Sequence, residues 1–279
     1  MKILLPTLSF VIALLFLNNC TIEEPEFGSR QGDSLFFSGH WWNIKKYEEI
    51  QWGPGPNYFS ANPNHVWVDD KDRLHLTISN SDGKWFATEV ISTDTMGYGT
   101  YRFTILGDFV NMPENITLGL FTWDDNTFSE AGNSEVDIEM SKWGVDSTEQ
   151  TLNYAVQPVA FGGDYFSERN HNPEVGDVSV LNGLSTHEFT WLPNKISWKS
   201  YSGDKPDEAK VIASWFFDDT NQARVKNENG NSSEPIIIPI PGETTNTRIN
   251  YWLQTFISRA PIDGKQHEVM ITNFEYQSW

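Results

Sequence analysis

The chain has 279 residues, of which 38% are hydrophobic and 14% aromatic, and this content is ample for one sizeable core. The formal net charge of -19 disfavours nucleic acid and anionic lipid as partners, because both repel an acidic surface. A single Cys excludes disulfides within the chain as a support of the fold.

The N-terminal segment 1–20 has the plan of an export signal. One Lys precedes a long apolar run that ends at Cys20, and this run is too short for a membrane span. A sole Cys at that place resembles a bacterial lipoprotein signal, in which Cys20 becomes the lipidated first residue of the mature chain. We therefore expect a lipoprotein on the outer membrane or cell surface. The alternative is an ordinary signal peptide and a secreted or periplasmic protein. The polar segment 21–34 is expected to be a short tether.

Residues 35–279 are predicted to form one all-β domain. In chain order the predicted strands are HVWV, RLHLTIS, KWFATEVI, GTYRFTIL, TLGLFTW, SEVDIEM, QTLNYAV, HEFTWL, KISWKSY, KVIASWFF, RINYWLQTFI and HEVMITNFEY. No stretch of eleven or more residues has a convincing helical period, so about a dozen strands should pack as two antiparallel sheets. The long irregular segments 158–183 and 218–248 are expected to be functional or mobile loops.

The strand predicted from Ser134 to Ser141 carries three acids on one face. Glu135, Asp137 and Glu139 occupy every second position, and the aliphatic residues between them point to the other face. Like charges placed in this way repel one another and cost stability. The Cα atoms of the two glutamates should be roughly 13 Å apart, and leaning side chains could bring their carboxyls to about half that distance. The spacing permits the separation of about 5 to 5.5 Å that retaining glycosidases need.

Three interpretations of this acid strand are compatible with the spacing: a solvent-facing strand, a calcium site, or a catalytic pair of carboxyls with a helper. Ligands on an extended strand point in parallel rather than around one ion, which disfavours calcium. In the catalytic interpretation one Glu attacks the anomeric carbon, the other protonates the leaving oxygen, and Asp137 hydrogen-bonds the nucleophile. Such a trio needs no metal, and the six His residues lack metal-ligand spacing.

The stretch SEVDIEMSKWG resembles the catalytic signature of glycoside hydrolase family 16, a family of β-jelly-roll endo-β-glucanases, in the unbulged E-x-D-x-E form of its lichenase-like branch. Similarities continue in TEVISTDTMGYGTYRFTI, GLFTWDD, QTLNYAVQP, WLPNKISWKSYSG and INYWLQ, and they span about residues 35–279. The resemblance implies a concanavalin A-like sandwich of two sheets with a cleft on the concave sheet. It also implies that Glu135 is the nucleophile, Glu139 the acid/base and Asp137 the helper.

The resemblance further implies a polysaccharide partner. The residues expected to bind it are Glu89, Phe121, Trp123, Asn153, Asn250 and Trp252. Trp143, just beyond the acid strand, is a candidate to stack on a sugar or to cap the core. Gln157 is a candidate to donate to a sugar hydroxyl or to satisfy a turn. Lichenases carry Arg, Tyr and Trp where this chain has Ile91, Ala155 and Asn133, so specificity for mixed-linkage glucan does not follow.

The sequence as a whole predicts an exported, retaining endo-β-glycanase that acts on a β-glucan-like polysaccharide as a monomer. No cofactor is required. Asn273 stands where many relatives carry a calcium-binding Asp, so structural calcium is left open. Two alternatives use the same face: a non-catalytic carbohydrate-binding jelly roll, and a transglycosylase with the same three acids. Contact with a membrane is expected only through the lipid anchor.

Overall fold

The computed structural model describes residues 25–26, 28–127, 132–145, 151–161, 164–218, 220, 224–226, 232–235 and 238–279. The predicted signal with Cys20, and residues 21–24 of the predicted tether, lie outside this part of the chain. Within it, no helix has the length and apolar character needed to cross a membrane.

The described residues form strands and short 3-10 turns. The first strands are β1 (Arg30–Gln31), β2 (Ser34–Phe37), β3 (His40–Ile44), β4 (Tyr47–Trp52), β5 (Asn57–Phe59), β6 (Val66–Val68), β7 (Leu74–Ser81), β8 (Lys84–Ser92), β9 (Gly99–Asp108), β10 (Ile116–Trp123) and β11 (Val136–Ser141). They are followed by β12 (Leu152–Val156), β13 (Ala160–Phe161), β14 (Asp164–Tyr165), β15 (Asn170–His171), β16 (Asn182–Leu192), β17 (Lys195–Ser202), β18 (Val211–Asp218), β19 (Arg224–Lys226), β20 (Ser232–Pro235), β21 (Asn246–Leu253) and β22 (His267–Ser278). The 3-10 turns are Gly132–Ser134, Ser167–Arg169, Val178–Leu181 and Glu208–Lys210.

Two antiparallel ladders face each other. The first has the order β15, β12, β11, β10, β21, β8, β3, β2, β1. The second has the order β6, β7, β22, β9, β16, β17, β18. The β7–β8 hairpin joins the ladders, and β5 pairs with β4 and, in parallel, with β8. The predicted all-β architecture of two sheets is confirmed, and the curved arrangement is that of a jelly roll.

The core lies between the ladders, where both contribute large aromatic residues. Trp42 and Trp198 are fully buried. Trp42 on β3 packs edge-on against Phe274 on β22, with ring centroids 5.2 Å apart. Trp198 on β17 donates from Nε1 to the backbone oxygen of Asp137 on β11 at 3.0 Å. The acid strand is therefore tied to the opposite sheet, which gives the acids a rigid base.

Several boundaries differ from the sequence predictions. The described residues contain more strands than the expected dozen, because strands such as β1 to β5 are short and show no clear alternation of apolar and polar residues. The expected tether 21–34 already contains β1, and Arg30 Nη1 donates to the backbone oxygen of Val66 at 3.1 Å. The fold thus begins before residue 35.

Two predicted strands are shorter than expected. The strand predicted for RINYWLQTFI ends at Leu253, where a turn closed by Ile257 N and Gln254 O at 2.9 Å begins. The acid strand starts at Val136, because the 3-10 turn Gly132–Ser134 precedes it. Glu135 lies just before the strand, but its backbone oxygen still accepts from Gln157 N at 3.1 Å, so its pairing with the neighbouring strand continues.

Candidate active site

The acid strand divides its side chains between core and cleft with a period of two. Val136, Ile138 and Met140 are fully buried in the core. Asp137 and Glu139, together with Glu135 just before the strand, occupy the opposite face. The predicted alternation is therefore present, and the acid face forms part of a cleft.

The strand register sets the cleft residues in rows across the first ladder. One row runs Asn153, Glu139, Gly119, Asn250 and Glu89, from β12 through β11, β10 and β21 to β8. A Cβ atom on the glycine would lie 2.5 Å from Asn250 Oδ1, so the row has room for this Asn only because position 119 lacks a side chain. The floor of the cleft is therefore lowest beside Glu139.

The next row runs Ala155, Asp137, Phe121, Arg248 and Ile91 across the same strands. Between and above these rows lies a cavity of about 280 Å³. Its lining residues are Lys45, Trp52, Gly53, Pro54, Glu89, Gly119, Phe121, Trp123, Asp125, Glu135, Asp137, Glu139, Arg248, Asn250 and Trp252.

The three acids hold their protons more tightly than acids in water. Burial, followed by the charges of Asp137 and Glu139, raises the pKa of Glu135 well above its usual value, while Arg248 acts to lower it. Burial and then the charge of Asp137 raise the pKa of Glu139. Burial raises the pKa of Asp137 to about 7. The site therefore retains protons near neutrality, and a catalytic acid needs such a proton.

Asp137 is held by hydrogen bonds on both sides. Gln157 Nε2 donates to Asp137 Oδ2 at 3.0 Å, and Gln157 Oε1 accepts from the backbone of Val159 at 2.9 Å. A hydrogen bond also joins Asp137 to Glu135, and it requires one of the two carboxyls to be protonated. Gln157 thus contacts the central acid and orients it.

Two cations border the cleft, and both are engaged by acids. Lys45 Nζ lies 2.8 Å from Glu89 Oε2 and donates to the backbone oxygen of Gly53 at 2.6 Å, and burial lowers its pKa. Arg248 Nη2 lies 3.2 Å from Asp125 Oδ2, and the guanidinium stacks 5.3 Å from the ring centre of Trp123. The acids that pair with these cations fix them at the cleft edge.

Three buried oxygens in the row beside Glu139 have no hydrogen-bond partner among the described residues. They are Glu89 Oε1, Asn153 Oδ1 and Asn250 Oδ1, on side chains that are at most 3% exposed. A buried acceptor without a donor costs free energy unless a ligand or water supplies one. Hydroxyl groups are suitable donors, and a sugar carries several of them.

Aromatic side chains flank these polar groups. Phe121 and Trp123 meet edge to face at 6.4 Å, and Trp252 lies at the opposite end of the neighbouring strand β21. Trp52, which is 53% exposed, stacks at 5.0 Å on Tyr47 beside the cavity. Such rings are suited to the apolar faces of sugars.

The structure brings together most of the predicted site. The cavity is lined by the three acids and by the predicted residues Glu89, Phe121, Trp123, Asn250 and Trp252. The other predicted residues lie at its border. Asn153 pairs with Glu139 in the register and donates to Asn170 and Asn172, Gln157 contacts Asp137, and Trp143 lies 6.4 Å from Trp252.

Sequence reasoning missed several lining residues. Lys45, Trp52, Gly119 and Arg248 come from four different strands or adjoining loops, and none lies in the acid motif. The turn-rich stretch WGPGPN was the only available signal for Trp52. Asn273, considered for calcium, donates to Glu275 Oε1 at 2.9 Å, and the described residues contain no group of three His, Cys, Asp or Glu placed to hold a metal.

Comparison with solved structures identifies proteins of the same fold. A Bacillus licheniformis β-glucanase has 17% identity and a TM-score of 0.54, with 91% of this chain and 96% of that chain covered. A Bacteroides ovatus family 16 protein from a mixed-linkage glucan locus, solved with its G4G4G3G product, has 15% identity and a TM-score of 0.54 over 85% and 94%. This chain has the fold of the family 16 β-glucanases.

A third neighbour widens the range of functions associated with this fold. An immunostimulatory antigen of Mycobacterium tuberculosis, described as a pseudo β-1,3-glucanase, has 14% identity and a TM-score of 0.59 over 91% of this chain and 95% of that one. No family model and no curated protein sequence matches the chain. The resemblance noted in the sequence thus extends to the fold of the whole domain.

Proposed function

We propose that this protein is a retaining endo-β-glycanase of glycoside hydrolase family 16 that hydrolyses a neutral, β-glucan-like polysaccharide. The observation that carries the proposal is the alignment of Glu135, Asp137 and Glu139 on the floor of one cleft, with Asp137 hydrogen-bonded to its neighbour Glu135. Retention of configuration needs a nucleophile and an acid/base that act on the same sugar, and this row of three carboxyls supplies both.

In the proposed mechanism Glu135 attacks the anomeric carbon as a carboxylate while Glu139 gives its proton to the leaving oxygen. The bond to the leaving sugar breaks, and a covalent glycosyl-enzyme forms on Glu135. Glu139, now ionised, takes a proton from water, which attacks the anomeric carbon and releases Glu135. The hydrogen bond between the two acids raises the pKa of Glu135 and lowers that of Asp137, so Glu135 must give up its proton before it attacks, and the charge of Arg248 favours that ionised form.

The cleft favours an uncharged substrate. Its described cations are already paired, Lys45 with Glu89 and Arg248 with Asp125, so neither has an unshared charge for a sulfate or carboxylate. The Asn153 and Asn250 side-chain oxygens, which have no hydrogen-bond partner among the described residues, suit hydroxyl donors, and the flanking rings suit sugar faces. Glu89 Oε1 lies 3.8 Å from Arg248 Nη1. The Bacteroides ovatus neighbour was solved with a glucan product, which supports the same substrate class.

We further propose that the protein is exported and held to the outer membrane or cell surface by a lipid on Cys20, and that it acts as a monomer. The support is the sequence pattern of residues 1–20. Metabolic labelling with a fatty-acid analogue, with Cys20→Ala as the control, tests the anchor. An unlabelled wild-type chain would contradict it.

The decisive experiment uses the purified domain and a panel of β-1,3-, β-1,4- and mixed-linkage glucans and galactans, with sizing of the products. Glu135→Gln and Glu139→Gln should each abolish fragment formation while leaving the melting temperature near that of the wild type. Glu208→Gln, which changes an exposed Glu on the turn before β18, serves as the matched control and should retain activity. Hydrolysis that survives in either cleft variant would refute the assigned roles.

A second candidate, a carbohydrate-binding protein without catalysis, follows from the description of the mycobacterial neighbour as a pseudo-glucanase. The same panel separates the two functions. Binding of a glucan by the wild type without any fragments would favour the second candidate.

A further inference from the structure

Two turns stand side by side where the cleft strands end beyond Glu139. The first follows β11 and contains Trp143 and Val145, and the second follows β21 and contains Phe256 and Ile257. We call these four residues the apolar ridge. The strand before the first turn carries Glu139, and the strand before the second carries Trp252, so the ridge adjoins the cleft.

Close contacts connect the two turns to each other and to the cleft. Gly144, at φ +78°, lies so near the second turn that a Cβ atom would be 2.5 Å from Ile257 Cδ1. The Trp143 ring stands edge-on to Trp252 at 6.4 Å, and Trp252 lines the cavity. The ring of Trp143 therefore links the ridge to Trp252 in the cleft lining.

The ridge is held in place although it is exposed. Gln254 is fully buried and donates from Nε2 to Thr117 Oγ1 at 2.8 Å and to Ser141 Oγ at 2.7 Å. The backbone of Trp143 donates to the same Ser141 oxygen at 3.2 Å, and Trp143 adopts φ +51°, which a bulky residue seldom does. The same polar group thus anchors the bases of both turns.

The exposure of the ridge is high for apolar side chains. Phe256 is 72% exposed, Val145 49%, and Trp143 and Ile257 37% each. A contiguous apolar surface at the rim of a cleft marks a place where a ligand or partner binds. Aromatic rings with this exposure offer flat faces to a sugar and require no charge from it.

We propose that the apolar ridge is a second binding surface for the polysaccharide, which holds sugar units outside the part of the chain that lies over the three acids. The inference rests on the proposed function, because an endo-acting enzyme must hold a chain that extends past its cleft. Because Trp143 of the ridge lies beside Trp252 in the cleft, we assign the ridge to the polysaccharide rather than to a second protein copy or a lipid surface.

Binding measurements in the Glu135→Gln background test the ridge without turnover. The probes are short and long oligosaccharides of β-1,3- and mixed-linkage glucan, and affinity is measured by calorimetry. Phe256→Ala should weaken binding of the long oligosaccharides about 3- to 10-fold and leave binding of the short ones unchanged. Trp143→Ala, which also removes a ring beside Trp252, should weaken binding of the long oligosaccharides at least as much. Trp279→Ala, which removes a 77% exposed Trp at the chain end, is the matched control and should change neither.

The outcomes separate this inference from the proposed function. Unchanged affinity for long oligosaccharides in both ridge variants would overturn the ridge, even where the wild type hydrolyses glucan. A length-dependent loss in the ridge variants would support the ridge even where the wild type forms no fragments. Dimers that appear in light scattering of the wild type and vanish in Phe256→Ala would assign the surface to self-association and overturn the proposal. A failure of every probe to bind would overturn it as well.

Melting temperatures of the variants exclude unfolding as the cause of weakened binding. The high exposure of Phe256 makes Phe256→Ala the variant less apt to unfold.

Discussion

Glu135 differs from Glu139 in having a guanidinium near enough to lower its pKa. Burial and the other two acids raise the pKa of Glu135, and Arg248 acts in the opposite direction. Arg248 is itself fixed, because its Nε donates to Asn246 Oδ1 at 3.0 Å while Asp125 and Trp123 hold the rest of the head group. A fixed positive charge at this position favours the carboxylate form, which a nucleophile requires.

Removal of this charge should change the pH dependence of the reaction. Arg248→Met leaves a side chain of similar reach without the charge, so the pKa of Glu135 should rise. The acidic limb of kcat/KM plotted against pH should move to higher pH. Arg248→Lys keeps the charge and should keep the limb near its wild-type position.

The pH profile distinguishes electrostatics from lost packing. Damage to the contacts with Trp123 and Asp125 would lower kcat/KM at every pH by a similar factor. An Arg248→Met profile that falls uniformly, with its acidic limb unmoved, would show that the guanidinium does not govern the ionisation of Glu135.

At the scale of strands, the shape of the cleft depends on the missing side chain of Gly119 as well as on the side chains around it. Gly119 of β10 stands between Glu139 and Asn250 in the register. Gly119→Ala would place a methyl group 2.5 Å from Asn250 Oδ1. The far end of this Asn can rotate away, so the fold should tolerate the change, but the Asn would then be displaced from the row that lines the cleft.

We therefore expect Gly119→Ala to raise KM several-fold on a glucan substrate, with a change of only a few degrees in melting temperature. Gly176→Ala is the matched control, because position 176 has open space around its Cβ direction and no left-handed backbone. A Gly119→Ala protein with wild-type KM would indicate that the space beside Glu139 is not used by substrate.

The acid strand could be predicted from the sequence because its information is local. Glu135, Asp137 and Glu139 alternate with aliphatic residues, and a period of two fixes which face they share. The core aromatics and the antiparallel sheets follow from the same alternation. The early strands β1 to β5 could not be predicted, since they are short and their apolar and polar residues do not alternate clearly, as in SLFF of β2 and HWWNI of β3.

The partners of the acids depend on register, which the sequence does not state. Ile91 was identified as a departure, since lichenases carry Arg there. In the structure Arg248 of β21 stands directly opposite Ile91 of β8, so the cleft does contain a guanidinium in that row. Residues far apart in the chain become neighbours only through strand pairing, and one step of register would turn Arg248 to the other face.

At the scale of the whole molecule, the buried titratable groups act on stability with opposite signs. Burial raises the pKa of Asp137 from 3.8 to about 7, and it raises the pKa of both glutamates. Between about pH 4 and 7 the folded state thus binds more protons at these acids than the unfolded chain, and their contribution to the free energy of unfolding falls as pH rises. Burial lowers the pKa of His187 from 6.5 to about 3, so its contribution rises with pH over much of the same range.

A difference measurement isolates the acids, because His187 is common to both proteins. The triple variant Glu135→Gln, Asp137→Asn, Glu139→Gln removes the titrating groups while keeping their size. The melting temperature of the variant minus that of the wild type should increase steadily from about pH 4 to about pH 7. The reason is that the wild type loses stability as its three buried acids ionise. A control triple variant with Gln at the exposed positions Glu49, Glu174 and Glu243 removes as many carboxyls without touching the cleft, and its difference should change far less with pH. A flat difference for the cleft variant would mean that the three acids titrate in the folded protein as they do in the unfolded chain, and that burial imposes no cost on their charges.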